Sequence, residues 1–181
     1  MAEPRIFVSY AAEDASWAEQ LGSLLAKAGL PHTKTAPPVG VSWADWTSDT
    51  AKNATHTLVL VGSHTRLSRW VDREIELSTE CRDTGPGAAL IGLILPTHED
   101  FKRPYYDPEH VPLRLHDLVQ TDYALVRKWS GKPEEIRQWL EDAEKRRHYR
   151  RPEPSLGAAA QLYRFAWDAA VDEARGHLDS A

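Results

Sequence analysis

Two hydrophobic periods alternate along this chain, and their alternation predicts its elements. Arg5-Ile-Phe-Val-Ser-Tyr10 is a short apolar run rich in β-formers, closed by small and polar residues. Trp17, Leu21, Leu24, Leu25 and Ala28 then share one helical face, and Gly29 supplies a natural stop. Leu30 to Thr33 reads as a brief second strand. Ala36-Pro-Pro-Val-Gly40 reads as a loop, because two prolines and a glycine interrupt any regular element. Ser42 to Asn53 is expected as a short helix carrying Trp43 and Trp46, and Thr55 to Gly62 as a buried strand. Ser68 caps a helix running to about Arg82, with Val71, Ile75 and Ser78 inward. Ala88 to Leu95 is another continuous apolar run, as a strand covered on both faces requires. Pro96 to Asp117 is long, aromatic and proline-bearing, and is expected as a structured loop. Tyr123 to Trp129 is the last strand. Pro133-Glu-Glu135 opens a helix with Ile136, Trp139, Leu140 and Ala143 inward, proline and acids suiting a first turn.

Strand–helix alternation of this kind predicts an α/β fold with a parallel sheet and helices on both faces. The spacing fits a flavodoxin-like, doubly wound domain over residues 1–147, its five strands ordered 2-1-3-4-5. Residues 148–181 form a second region. There the basic run Arg146-Arg-His-Tyr-Arg-Arg151, with Pro152 and Pro154, makes a hinge before an amphipathic helix over about 156–178. Leu162, Phe165, Ala166, Ala169 and Ala170 lie on one face of that C-terminal helical extension. It is expected to pack on the core or on a neighbouring subunit.

Composition narrows the class of partner. The 181 residues are 41% hydrophobic and 27% charged, as in ordinary globular proteins. A net charge of −5 argues against broad nucleic-acid binding, which needs a cationic surface. The single cysteine, Cys81, excludes an intrachain disulfide and a thiolate zinc site. Met1-Ala-Glu-Pro-Arg5 runs into the first strand without a signal-like apolar stretch, and no apolar run approaches the roughly 20 residues that span a bilayer. A cytoplasmic protein with no membrane partner is the expectation.

In open parallel sheets, ligands bind outside the carboxyl ends of the strands. Several chemistries are excluded there. No glycine-rich phosphate loop, no GxGxxG and no GxSxG elbow is present. A receiver-type aspartate is missing, because the central strand ends Val61-Gly-Ser-His64. The eight histidines lack metal-ligand spacing, His110 and His116 being the nearest to a pair, so no metal is expected. Within Ser68-Arg-Trp-Val-Asp-Arg-Glu-Ile75, Trp70 and Glu74 share a helical face beside the inward Val71 and Ile75. Glu74 therefore falls at the margin between core and solvent, where a half-enclosed carboxylate has a raised pKa and can face a developing positive charge. The plainer alternative is a solvated glutamate in a local ion pair with Arg73. Ser9 and Tyr10 end a strand at the cleft, as ligand contacts or as turn formers. Trp43 and Trp46 suit stacking on a base, or anchoring of a short helix.

Three segments carry a family resemblance. Arg5-Ile-Phe-Val-Ser-Tyr-Ala-Ala-Glu-Asp14 resembles the opening of TIR domains, and Pro38-Val-Gly-Val-Ser-Trp43 resembles their loop after the second strand. Trp70-Val-Asp-Arg-Glu-Ile75 is similar to the W-x-x-x-E segment of NAD-cleaving TIR domains. Leu60-Val-Gly-Ser-His-Thr65 with Trp70-Val71 and Trp129-Ser130 resembles the TIR-like sensors of the Thoeris antiphage system. The resemblance implies Glu74 as catalytic residue and cleavage of the nicotinamide–ribose bond of NAD, here a substrate, with no cofactor. It implies contacts to NAD from Ser9, Tyr10, Trp43, Trp46 and Trp70. It also implies self-association through TIR surfaces, and an ADP-ribose-type nucleotide signal that reaches a separate effector protein. Ala11 stands where some NAD-cleaving members carry an arginine, and the loop over 97–117 has no counterpart in animal adaptor TIR domains. Two rivals stay open: a non-catalytic interaction module, and another nucleoside-processing enzyme on a flavodoxin-like fold.

Overall fold

A computed structural model describes residues 4–32, 42–80 and 86–149. Its centre is a parallel sheet of four strands: β1 (Ile6–Ser9), β2 (His56–Val61), β3 (Ala89–Ile94) and β4 (Ala124–Lys128), neighbours in that order. Phe7 pairs with Thr57, Leu58 with Ile91, and Ile91 with Leu125. Every residue of β2 and β3 is buried, which explains the apolar runs over 58–61 and 89–94. The expected strand at Leu30 to Thr33 is represented by one parallel bridge, Ile6 to His32, and Thr33 lies outside the described residues. That bridge adds to β1 a neighbour besides β2, in keeping with the order 2-1-3-4-5.

Among the described residues five helices cover the sheet: α1 (Ala15–Lys27), α2 (Trp43–Asn53), α3 (Arg69–Thr79), α4 (Leu113–Gln120) and α5 (Pro133–Tyr149). Alternation along β1 divides them into two layers. Ile6 and Val8 join Leu21, Leu25, Ile136 and Leu140 in a core under α1 and α5. Phe7 turns the other way, to Ala51 of α2 and Leu77 of α3, while Val59 and Val61 meet Val71 and Ile75 of α3. Trp17 and Trp129 lie edge to face, with centroids 5.2 Å apart, and tie α1 to the end of β4. Helix α1 stops at Gly29, whose φ of +66° is a left-handed conformation that other residues adopt at a cost. Ser42 and Ser68 cap α2 and α3, each hydroxyl accepting a backbone N–H at 3.3 Å.

The loop expected over 97–117 requires correction. It contains a 3-10 turn at Pro108–His110 and all but the end of helix α4. Val111, Leu115 and Leu118 are buried at helical spacing, but Pro108, Pro112 and the aromatic residues masked so short a period. Helix α3 ends at Thr79, short of the expected Arg82, because Glu80 has already left the helical conformation; residues 81–82 and the helix over 156–178 lie outside the described residues. Among the described residues, no helix is long and apolar enough to cross a membrane.

Candidate active site

Ser9 closes β1 on the face that Phe7 shares, and it is fully buried. Helix α3 approaches the same face. Val71, Ile75 and Ser78 point into the core, and Glu74 lies half-buried at the edge of that stripe. The Ser9 hydroxyl donates to Glu74 Oε2, joining residues 65 apart in sequence. Burial raises the Glu74 pKa from its ordinary value to about 7, and the Ser9 bond opposes that rise by favouring the carboxylate. Near neutral pH this carboxyl therefore divides between its two forms. It can act as a carboxylate facing a cation or, protonated, as a donor.

The other expected contact residues are distributed unevenly. Trp70, one turn before Glu74 on α3, is 42% exposed. Trp46 is half-buried on α2, which packs against α3. Trp43 opens α2, and its side chain lies outside the described residues. Tyr10 is half-buried against the core under α1 and α5, the layer opposite that of Ser9. The fold thus brings Ser9 to Glu74, sets Trp70 on the same helix, and sends the Tyr10 ring elsewhere.

A family model described as TIR domain matches residues 6–140. The chain belongs to the TIR family. No curated protein sequence matches it. Solved structures similar to it include the TIR domains of the activated Roq1 resistosome directly recognizing the pathogen effector XopQ, at 11% identity and a TM-score of 0.46 over 93% of this chain and 99% of that one. A prokaryotic SEFIR domain is similar at 15% identity and a TM-score of 0.47, covering 86% and 97%. The TIR domain of the Toll-related receptor TRR-2 from Hydra magnipapillata is similar at 16% identity and a TM-score of 0.41, covering 64% and 89%.

Three polar clusters of this TIR domain escaped the sequence reading. Asp14 is buried beside the carboxyl end of β2, where Thr65 Oγ1 lies 3.1 Å from its Oδ2 and accepts the Gly62 N–H at 2.9 Å. A Cβ on Gly62 would meet the Asp14 carboxylate at 2.3 Å, so a larger residue there would have to displace that side chain. Burial raises the Asp14 pKa, with Thr65 opposing. Next, the buried Arg114 of α4 pairs with Asp72 at 3.2 Å and lies 3.7 Å from Glu76, fixing α4 to α3, while Arg73 also pairs with Glu76. The Asp72 pKa is raised by burial against the pull of Arg114.

Asp100 organises the third cluster. It accepts the Asp107 N–H at 2.8 Å and His110 Nδ1 at 3.0 Å, and pairs with Arg103 at 2.9 Å. His98 Nδ1 accepts the Asp100 N–H, so its proton sits on Nε2, which donates to the His110 carbonyl at 3.0 Å. His110 therefore neighbours His98 rather than His116, whose ring meets Tyr106 instead. The only sequence signal for these clusters was acidic residues beside strand ends, which does not name their partners.

Proposed function

We propose that this TIR domain cleaves the nicotinamide–ribose bond of NAD, with Glu74 as its catalytic residue. One observation carries the reading: a half-buried carboxylate at a strand's carboxyl end, held by Ser9 and titrating near neutrality. Nicotinamide departs from the oxidised nucleotide as a neutral molecule, so no strong general acid is needed. The ribose left behind has oxocarbenium character. Ionised Glu74, partly withdrawn from water, stabilises that cation electrostatically. Ser9 orients the carboxylate, and Trp70, on the same helix and partly exposed, is the proposed stacking partner. Trp43 and Trp46 complete the proposed contacts to NAD, and Tyr10, whose ring packs in the opposite layer, is left out of them. The sugar is then captured by water, giving ADP-ribose, or by an internal acceptor, giving a cyclic nucleotide.

The resemblance of the Leu60–Thr65, Trp70-Val71 and Trp129-Ser130 segments to Thoeris sensors extends the proposal to antiphage signalling in the cytoplasm. The nucleotide product would act on a separate effector protein, and self-association through TIR surfaces would raise a slow basal turnover. The test is mass spectrometry of NAD incubated with purified protein, alone and with phage-infected lysate. Nicotinamide release that the parent shows and Glu74→Gln lacks is the expected result. Absence of release by the parent in every condition would favour a non-catalytic interaction module.

A further inference from the structure

Strand β4 is an edge of the sheet among the described residues. The Trp129 N–H donates to the Ile94 carbonyl at 2.9 Å, which fixes the direction of its neighbours' main-chain groups. In a pleated strand those groups alternate, so Leu125 and Arg127 also face β3. Ala124, Val126 and Lys128 turn their N–H and C=O groups to the free edge. The only bond to these outward groups among those described is local: Arg127 folds its guanidinium onto the Val126 carbonyl at 3.0 Å. Ala124 is buried, Val126 is half-buried and Lys128 is exposed, so the accessible template for a further strand is the carboxyl half of β4.

A cavity of about 480 Å³ follows this edge and touches all five residues from Ala124 to Lys128. One wall is Pro104, Tyr105 and Pro108 of the loop after β3, and another is Val119 and Gln120 of α4. Tyr105 is 82% exposed, which places an aromatic surface at the mouth of the groove. The charge is local and opposite to that of the whole. The protein carries −5, yet Arg127, Lys128 and Arg146 line the groove, with Arg103 next to its Pro104 wall. Asp100 pairs with Arg103 and Asp122 with Arg146, so the charges left to the groove are those of Arg127 and Lys128.

We infer that this groove binds an extended acidic peptide of a partner protein, added as a strand alongside β4. Main-chain pairing supplies affinity, and the cations with the Tyr105 wall supply selectivity. The inference is independent of NAD cleavage.

Fluorescence anisotropy of the full chain tests it, using a fluorescein-labelled hexapeptide of alternating glutamate and valine and its lysine–valine counterpart. The acidic peptide is expected to bind saturably and at least about tenfold more tightly than the basic one. Val126→Pro removes an N–H that faces away from β3, so the fold should persist while acidic-peptide binding weakens by about tenfold or more. Should that variant melt early, the double substitution Arg127→Glu and Lys128→Glu carries the test, because it should reverse the preference between the peptides. Equal binding of both peptides, or an unchanged preference in the charge-reversed variant, overturns the inference. So does a concentration-dependent dimer that loses stability with Val126→Pro while neither peptide binds, which would assign the edge to a second copy of the chain.

Discussion

Glu74 and Asp100 are both carboxylates withdrawn from water in segments that follow parallel strands, and their environments drive them in opposite directions. Asp100 has the Asp107 N–H, the His110 ring and the Arg103 guanidinium around it, and these hold its pKa below the ordinary value despite burial. Glu74 has one identified donor, the Ser9 hydroxyl, and burial pushes it up to about 7. The number and charge of the donors, rather than depth alone, decides whether a carboxylate settles into a structural hub or stays poised for a reaction. A supplied hub stabilises the loop it organises. An undersupplied carboxylate costs stability whenever it is ionised, and a cationic transition state can recover that cost.

The largest expected effect separates the two in turnover. Glu74→Gln should lower nicotinamide release by roughly a hundred- to a thousandfold while NAD affinity changes little, since the charge acts mainly in the transition state. Full activity in this variant would remove Glu74 from the proposed site. Asp100→Ala should do the reverse. It strips a charged acceptor from two donors and an ion pair with Arg103, and should cost about 2–3 kcal/mol in urea unfolding, with turnover of the folded protein little changed. Unaltered stability would show that the loop does not depend on its hub.

The pH dependence of stability should also have opposite signs. Glu74 has a folded pKa above its ordinary 4.5, so between there and about 7 the folded state binds more protons than the unfolded one. Its contribution is therefore fully present below pH 4.5 and is lost as pH rises through about 7. Since the group is half-buried, the loss should be about 1–2 kcal/mol after solvent screening. Glu74→Gln should accordingly melt higher than the parent at pH 8 and match it in acid. Asp100, held below its ordinary 3.8, stabilises above that value, and its contribution disappears as pH falls through the lowered one. Unfolding curves of both variants across this range would expose any departure from these signs.

The smallest effect concerns Ser9. Ser9→Ala removes the bond that favours the Glu74 carboxylate, so the pKa should move further up. If ionised Glu74 carries turnover, activity of the parent should rise with pH through about 7, and Ser9→Ala should shift that rise to higher pH. A pH profile that does not move would mean that Ser9 acts only in packing.

Elements whose signals are local were legible in the chain itself. The apolar runs at Phe7, Leu58 and Ile91, the helical stripes of α1, α3 and α5, and the Ser68 cap all depend on periods and caps spanning a few residues. Trp70 and Glu74 were legible together because a four-residue spacing places them on one face of a helix wherever that helix packs. Tertiary structure alone decided that Ser9 meets Glu74 across 65 positions, that Thr65 meets Asp14 across 51, and that Asp100 collects its donors from a loop. The physical reason is one of range. Periodicity records which way a side chain points from its own element, whereas desolvation and hydrogen bonding depend on what the fold places opposite it.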